Sequence, residues 1–228
     1  MLQRALKLTG RITLWFFVVT IAWVLIYRIV PVPVTMTMIA NSISNIGSDD
    51  PVRWKKDWVS LDKISNSMQM AVVASEDQKF AAHNGFDLEA IKKAFKHNEK
   101  GRSIKGGSTI SQQTAKNAFL WQGRSWIRKG LEAYFTVLIE LLWGKQRIME
   151  VYLNVAEMGN GIYGAQAAAQ EFFNKDAARL NDSEAALLAA VLPSPKRYSA
   201  KNPGPYVRKR QQWIKRQMRN LRGVQLYD

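Results

Sequence analysis

The 228-residue chain contains no cysteine. Disulfide staples, thiolate metal sites and cysteine nucleophiles are therefore excluded. Histidine occurs only at His83 and His97, too few for a histidine-rich metal centre. Acidic residues are scarce beside basic ones, 18 against 33, which leaves a formal net charge of +15. Such a field draws a protein toward polyanions: nucleic acid, anionic headgroups or phosphorylated substrates. Strand signals are also lacking, because no alternating pattern runs beyond a few residues, and there is no internal repeat. Apolar residues, at 47%, are plentiful enough to give one medium-sized domain a core, with a short accessory segment besides.

The accessory segment is N-terminal. Leu14 to Tyr27 reads LWFFVVTIAWVLIY and carries no charge. Extended to residues 12–30, it reaches the roughly 20 residues a helix needs to cross a bilayer. Arg28 falls near one end, where its side chain can snorkel to the headgroups. Arg4, Lys7 and Arg11 precede the run, and the positive-inside tendency holds that end in the cytoplasm. A cleaved secretory signal shares this pattern, but Arg28, Ile29 and Pro31 stand where a small-x-small cleavage site belongs. The expected organisation is a cytoplasmic N-terminus (1–11), a single transmembrane helix (12–30), a connector (31–60) and an extracytoplasmic domain (61–228).

Within that domain the periodicity is helical nearly throughout. Helices are expected from Asn66 or Ser67 to His83, from Asp87 to Gly101 and from Thr109, where Thr109-Ile-Ser-Gln112 matches a capping box. Others should run from Ser125 to about Trp143, Lys145 to Glu157, Gly164 to Phe173, Ser183 to Val191 and Tyr206 to Leu221. The last places Val207, Gln211, Ile214, Met218 and Leu221 on one stripe. The fold class is all-α, preceded by the single apolar helix.

Three constellations could carry chemistry. Glu76 ends the apolar run that begins at Met68, so a carboxylate is delivered to the edge of the interior. Burial raises a carboxyl's pKa, which suits a general base. Adjacent helical residues diverge by about 100°, so Glu76 and Asp77 cannot share a proton as a dyad. A plainer reading is a solvated acidic helix end. The second run, Lys105 to Asn117, sets Gly106 and Gly107 before a capped helix whose backbone N–H groups suit phosphate. Ser108, Gln112 and Lys116 follow at four-residue spacing on one polar face. The run lacks the G-x-x-x-x-G-K pattern of a nucleotide loop. The third sets Arg124, Arg128 and Glu132 at the same spacing, with Lys129 beside them. Arg128 and Glu132 could be an ordinary surface pair. Against that stands the number of cations near one glycine-rich turn, interspersed with Phe119, Trp121 and Trp126 in a way that suits a surface dipping into headgroups.

These runs, in this order, resemble the peptidoglycan glycosyltransferases, the transglycosylase module of class A penicillin-binding proteins and of monofunctional biosynthetic transglycosylases. The matching motifs are Glu76-Asp77-x-x-Phe80-x-x-His83-x-Gly85, Gly107-Ser108-Thr109-Ile110-x-Gln112-Gln113-x-x-Lys116-Asn117, and Arg128-Lys129-x-x-Glu132. Lys145-x-x-Ile148-x-Glu150-x-Tyr152-Leu153-Asn154 and Ala186 to Ala190 running into Pro193-Ser194-Pro195 complete the set. Ser111 stands where the family often has threonine. Ser60-Leu-Asp-Lys63 fits S-x-x-K, but no S-D-N or K-T-G follows, so the penicillin-binding transpeptidase signature is missing.

The resemblance implies a lysozyme-like glycosyltransferase domain with a small membrane-facing jaw, on the periplasmic side of the bacterial inner membrane. It implies transfer of a lipid-diphosphate-linked glycan onto the 4-hydroxyl of lipid II, with inversion. Glu76 would be the base and Glu132 a second, positioning glutamate. Ser108, Gln112, Gln113, Lys116, Asn117, Arg124, Arg128 and Lys129 would hold sugar and diphosphate. No cofactor is required; magnesium or manganese at the diphosphate is compatible, although no ligand set in the sequence demands it. Expected partners are lipid II, the lipid-linked glycan, anionic phospholipid and other cell-wall synthases, and not nucleic acid. Two alternatives stay open: a glycan-cleaving enzyme driven by one glutamate, and a tethered basic protein that binds nucleic acid or lipid through its last helix, whose Arg208, Lys209, Arg210, Lys215, Arg216, Arg219 and Arg222 read more simply as a solvated or headgroup-facing surface.

Overall fold

The computed structural model describes residues 2–44, 54–99, 101, 106–123 and 125–227. Its elements begin with α1 (Leu2–Ile29), α2 (Met36–Ser44), β1 (Lys55–Lys56), α3 (Asn66–Glu76), α4 (Leu88–Glu99) and α5 (Ile110–Phe119). They continue with α6 (Trp126–Leu142), α7 (Gly144–Val155), β2 (Glu157–Gly159), β3 (Ile162–Tyr163), α8 (Ala165–Phe173), α9 (Asp182–Val191) and α10 (Pro205–Asn220). The three short strands form one sheet in the order β1-β3-β2, parallel between β1 and β3 and antiparallel between β3 and β2. Helices make the body, as the periodicity requires.

Local chemistry sets most boundaries. Ser65 caps α3 by accepting from the Met68 N–H, and Thr109 with Gln112 closes the expected capping box on α5. Asn181 and Glu184 do the same on α9, while Pro205 opens α10 at a position where its missing N–H costs nothing. Buried side chains lie all around α3, which packs against α9 and α10, and α5 packs against α6 and α7. These two groups enclose a core that includes Phe80, Ile110, Tyr152 and Leu153.

Three expectations need correction. The first domain helix stops at Glu76 rather than His83, because Asp77 leaves helical geometry at φ −160°, ψ 76°. Its carboxylate accepts from the Ile110 N–H at 3.0 Å, satisfying an orphan donor at the start of α5. The helix after Lys145 ends at Val155, and Glu157 belongs to β2. The segment expected to be a connector contains α2, whose Asn41 reaches across to Glu157 and Tyr163.

The apolar helix α1 does not stand apart. Within Gln3–Ile29 an 18-residue stretch has a mean hydropathy of 2.0, and the helix is long and apolar enough to cross a membrane. The last turns nevertheless dock on α6 and α7. Thr20 Oγ1 lies 2.8 Å from the Tyr134 hydroxyl, Trp143 Nε1 donates to Val24 O at 2.8 Å, and Arg147 donates to Tyr27 O and Val30 O. Trp23 closes edge-on over Phe119, which stacks on Phe135 at 4.6 Å. Elsewhere on the surface Trp126 is 92% exposed and Ile127 75%, and Leu141, Leu88 and Phe95 also face outward. The apolar stripe of α4 is thus presented to the surroundings, since none of that helix's residues is buried.

Candidate active site

Glu76 is the last residue of α3, where an apolar helix reaches the wall of a cavity of about 300 Å³ that Lys79, Gly107 and Ser108 also line. Its carboxylate is 15% exposed. Ser75 Oγ donates to Oε1 at 2.9 Å, and Gln113 Nε2 donates to Oε2 at 3.1 Å. Tyr152, fully buried, donates to Gln113 Oε1 at 3.3 Å and so fixes which end of the amide faces Glu76. Burial, and then the charges of Glu76 and Asp77, push the Tyr152 hydroxyl well above the usual tyrosine range, which keeps it a donor. A second cavity of about 280 Å³ opens beyond Gln113, lined by Lys116, Asn117, Tyr152, Glu157 and Tyr163.

The cations gather on the α5–α6 side. Glu132, 3% exposed, is held by Arg128 Nη1 at 2.9 Å and by Lys129 Nζ. The Arg128–Glu132 pair is therefore an interior one, not the solvated surface pair that its spacing also allowed. Lys116 sits within the field of Glu132, Arg128, Lys129 and Glu76. Burial is the largest influence and pushes its ammonium below the ordinary lysine range, against the pull of Glu132.

Other motif residues build the frame. His83 Nδ1 accepts from the Gly85 N–H, so its Nε2 carries the hydrogen and donates to Asp77 at 2.9 Å. Gly85 has φ +90°, and a Cβ there would lie 2.8 Å from Thr136 Cγ2, so only glycine fits. Lys145 donates to His83 O at 2.5 Å and to Glu140 Oε1 at 2.7 Å. Asn154, wholly buried, bridges both backbone groups of Val59. Asp77, His83, Gly85 and Lys145 thus hold the loop after Glu76 against the start of α5, while Asn154 ties the segment before α3 to α7. One half of the motif set bears on the cavities, and the other half keeps their walls in register.

A family model described as Transglycosylase matches residues 41–219. The chain belongs to the transglycosylase family. It is an enzyme of glycosyl transfer, and its 228 residues carry that domain without a transpeptidase signature. It is 52% identical over 223 residues to the biosynthetic peptidoglycan transglycosylase of Pseudomonas aeruginosa, covering 98% of this chain and 96% of that protein. Over 214 residues it is 56% identical to the protein of the same name from Xanthomonas euvesicatoria pv. vesicatoria, covering 92% and 85%. With α1 at its start, a transglycosylase of this kind fits a membrane-anchored protein.

Of the residues singled out in the sequence, Glu76, Ser108, Gln113, Lys116, Asn117, Arg128, Lys129 and Glu132 come together around the two cavities and the cation cluster. Gln112 is 5% exposed and spends its carbonyl on the Thr109 N–H. Arg124 lies outside the described residues. Sequence reasoning missed Arg210, assigned to a solvated helix: its Nη2 donates to Ser75 Oγ at 3.1 Å and lies 3.6 Å from Glu76 Oε1. A signal was there, because position 210 falls three residues after Val207 and four before Ile214, on the flank of the buried stripe. Tyr152 was quoted in a motif but given no role; its burial beside Gln113 supplies one.

Proposed function

We propose that this transglycosylase polymerises the glycan strands of peptidoglycan, transferring a lipid-diphosphate-linked glycan onto the 4-hydroxyl of lipid II. The observation that carries the reading is the pairing of one accessible carboxylate with a cluster of cations. A sugar alkoxide is a poor leaving group, so glycosidases need a protonating acid beside a second carboxylate. A diphosphate leaves readily once its charge is met. Glu76 faces a cavity with neutral amide and hydroxyl donors on its oxygens, whereas Glu132 is tied to two cations and is not free to serve as a partner acid.

In the proposed step Glu76 takes the proton of the acceptor 4-hydroxyl as that oxygen bonds to the donor's anomeric carbon. The bond from that carbon to the phosphate oxygen breaks, its electron pair leaves with undecaprenyl diphosphate, and the anomeric centre inverts to give a β-1,4 linkage. Lys116, Arg128 and Lys129 meet the charge that develops on the diphosphate, as preorganised groups do. Ser108 and Asn117 line the cavities where sugar and phosphate would lie. A magnesium or manganese ion at the diphosphate would draw its ligands chiefly from phosphate oxygens and water, so it asks for no dedicated cluster of protein carboxylates. No step is routed through one.

The location follows from the same chemistry. We place α1 across the bacterial inner membrane with Arg4, Lys7 and Arg11 cytoplasmic, the domain periplasmic, and Trp126, Ile127 and Phe95 in the headgroups of anionic phospholipid. A C-terminal reporter that works only in the periplasm checks the orientation; cytoplasmic activity would overturn it. The reaction itself is tested by incubating the purified full-length chain with lipid II. Long, lysozyme-sensitive glycan is the expected product. Shortening of preformed glycan with no polymer would favour the cleaving enzyme, and no reaction with either would leave a binding protein.

A further inference from the structure

Arg210 lies outside the matched motifs, on a helix that composition alone reads as solvated. Its guanidinium turns inward, with the side chain 26% exposed. One nitrogen, Nη2, both donates to Ser75 Oγ and faces Glu76 Oε1, and Ser75 Oγ in turn donates to that same Oε1. Gln113, itself oriented by Tyr152, holds the opposite oxygen. Glu76 is the final residue of its helix, and the backbone leaves helical geometry directly after it. Without partners on both oxygens its side chain would be free to turn about several bonds.

Arg210 is also placed at some cost. Its Nε is buried with no acceptor among the described residues, a penalty that an arginine in solvent does not carry. Its guanidinium carbon lies 5.8 Å from the ring centre of Trp213, so α10 supports the side chain from behind. The arginine at 210 is thus half-buried, braced and aimed at the residue assigned as the base.

We propose that Arg210 is a positioning residue for the transfer: through its charge, and through Ser75, it fixes Glu76 in the rotamer that faces the acceptor hydroxyl. This rests on the assignment of Glu76 as base. A nearby cation also makes a carboxylate less basic, so the two effects oppose each other, and orientation is held to prevail. The role acts on turnover rather than on binding, because Arg210 meets the carboxylate and not the substrate.

The test uses the full-length chain in vesicles with lipid II, measuring kcat, KM and Tm. Arg210→Met keeps an unbranched stem beside Trp213 and removes the charge. Its kcat should fall about tenfold, the loss typical of a charge-assisted contact, with KM within about twofold and Tm undiminished. Arg210→Lys should recover part of the rate, since an ammonium restores the charge but not the planar guanidinium whose Nη2 meets Ser75 and Glu76 together. Ser75→Ala should give a smaller loss that does not add fully to that of Arg210→Met, because the two share one bridge. Arg219→Ala, an exposed cation on the same helix, should leave kcat unchanged. A kcat for Arg210→Met equal to or above wild type overturns the proposal. So does Arg210→Lys performing no better than Arg210→Met. Glu76→Gln in the same assay separates the two readings. If it retains activity, the base assignment fails and takes this role with it; if it is inactive while Arg210→Met is fully active, only the role of Arg210 falls.

Discussion

Glu76 and Glu132 are both carboxylates at the edge of one reaction space, and their surroundings differ in kind. Glu132 is nearly sealed from solvent, with Arg128 and Lys129 in contact with its two oxygens. Glu76 is more open, its close donors are a hydroxyl and an amide, and the one cation within 4 Å of it among the described residues, Arg210, stands off at 3.6 Å. The first arrangement consumes the carboxylate's lone pairs and fixes two cations in space. The second holds a carboxylate in place while leaving it able to accept a proton. Residue type alone therefore says little here; the number and charge of the donors divide one glutamate's work from the other's.

The contrast is broken most severely at Glu76. Glu76→Gln keeps the shape but removes the proton acceptor, and polymerisation of lipid II should fall by about 10²- to 10⁴-fold with an unchanged melting curve. Activity within threefold of wild type would refute the assignment. Next in size is Lys116. Lys116→Met should lower kcat by roughly 10²- to 10³-fold while KM moves little, as expected of a charge used chiefly in the transition state. Its pKa is depressed by burial, so the folded state disfavours the charged form. That penalty is present below the folded pKa and is relieved as pH rises through it toward the unfolded value. Two outcomes follow: Tm of Lys116→Met at neutral pH should exceed that of wild type, and wild-type turnover should fade on the alkaline side at a pH below the ordinary lysine range. Lys116→Arg should carry the activity to higher pH, which a pH–rate profile of both proteins checks.

Glu132→Gln sharpens the comparison from the other side. It strands two cations, one of them largely buried, and breaking such a pair costs about 3 kcal/mol. For a domain of this size Tm should drop by roughly 6–12 °C, with activity falling as the cations relax. Thermal melts distinguish this from Glu76→Gln, which should lose activity alone. The smallest expected effect is that of Tyr152→Phe. Losing one buried hydroxyl contact, worth about 1 kcal/mol, should reduce kcat about fivefold by letting the Gln113 amide turn. Identical kinetics for Tyr152→Phe would show that Gln113 needs no such guide.

Much of this was legible before any coordinates. Caps and apolar stripes are local, and they placed α5, α6, α8, α9 and α10 within a residue or two. Motif spacing brought Glu76, Gln113, Lys116 and Glu132 into view together. What escaped depends on partners far along the chain. Nothing local tells Asp77 to abandon a helix; the bond to the Ile110 N–H, 33 residues away, does. The inward turn of Arg210 answers Ser75, 135 residues earlier, and the six other cations between Arg208 and Arg222 hid it by making all of them look solvated. The helix α2 was obscured in the same way, since its short apolar pattern finds its partners in α5 and, through Asn41, in β2 and β3.

The docking of α1 on α6 and α7 bears on how the enzyme meets its substrates. A domain hung from a flexible leash would sample many heights and tilts above its membrane. Here the last turns of the helix are joined to the body through Thr20, Val24, Tyr27 and Val30, so with α1 across the membrane as proposed, the fold sets the height of Glu76 above the lipid plane. The anchor then works as a depth gauge. Reactants drift laterally in the same sheet, and a headgroup carried at the wrong altitude never registers with the cavity, whatever its sugar.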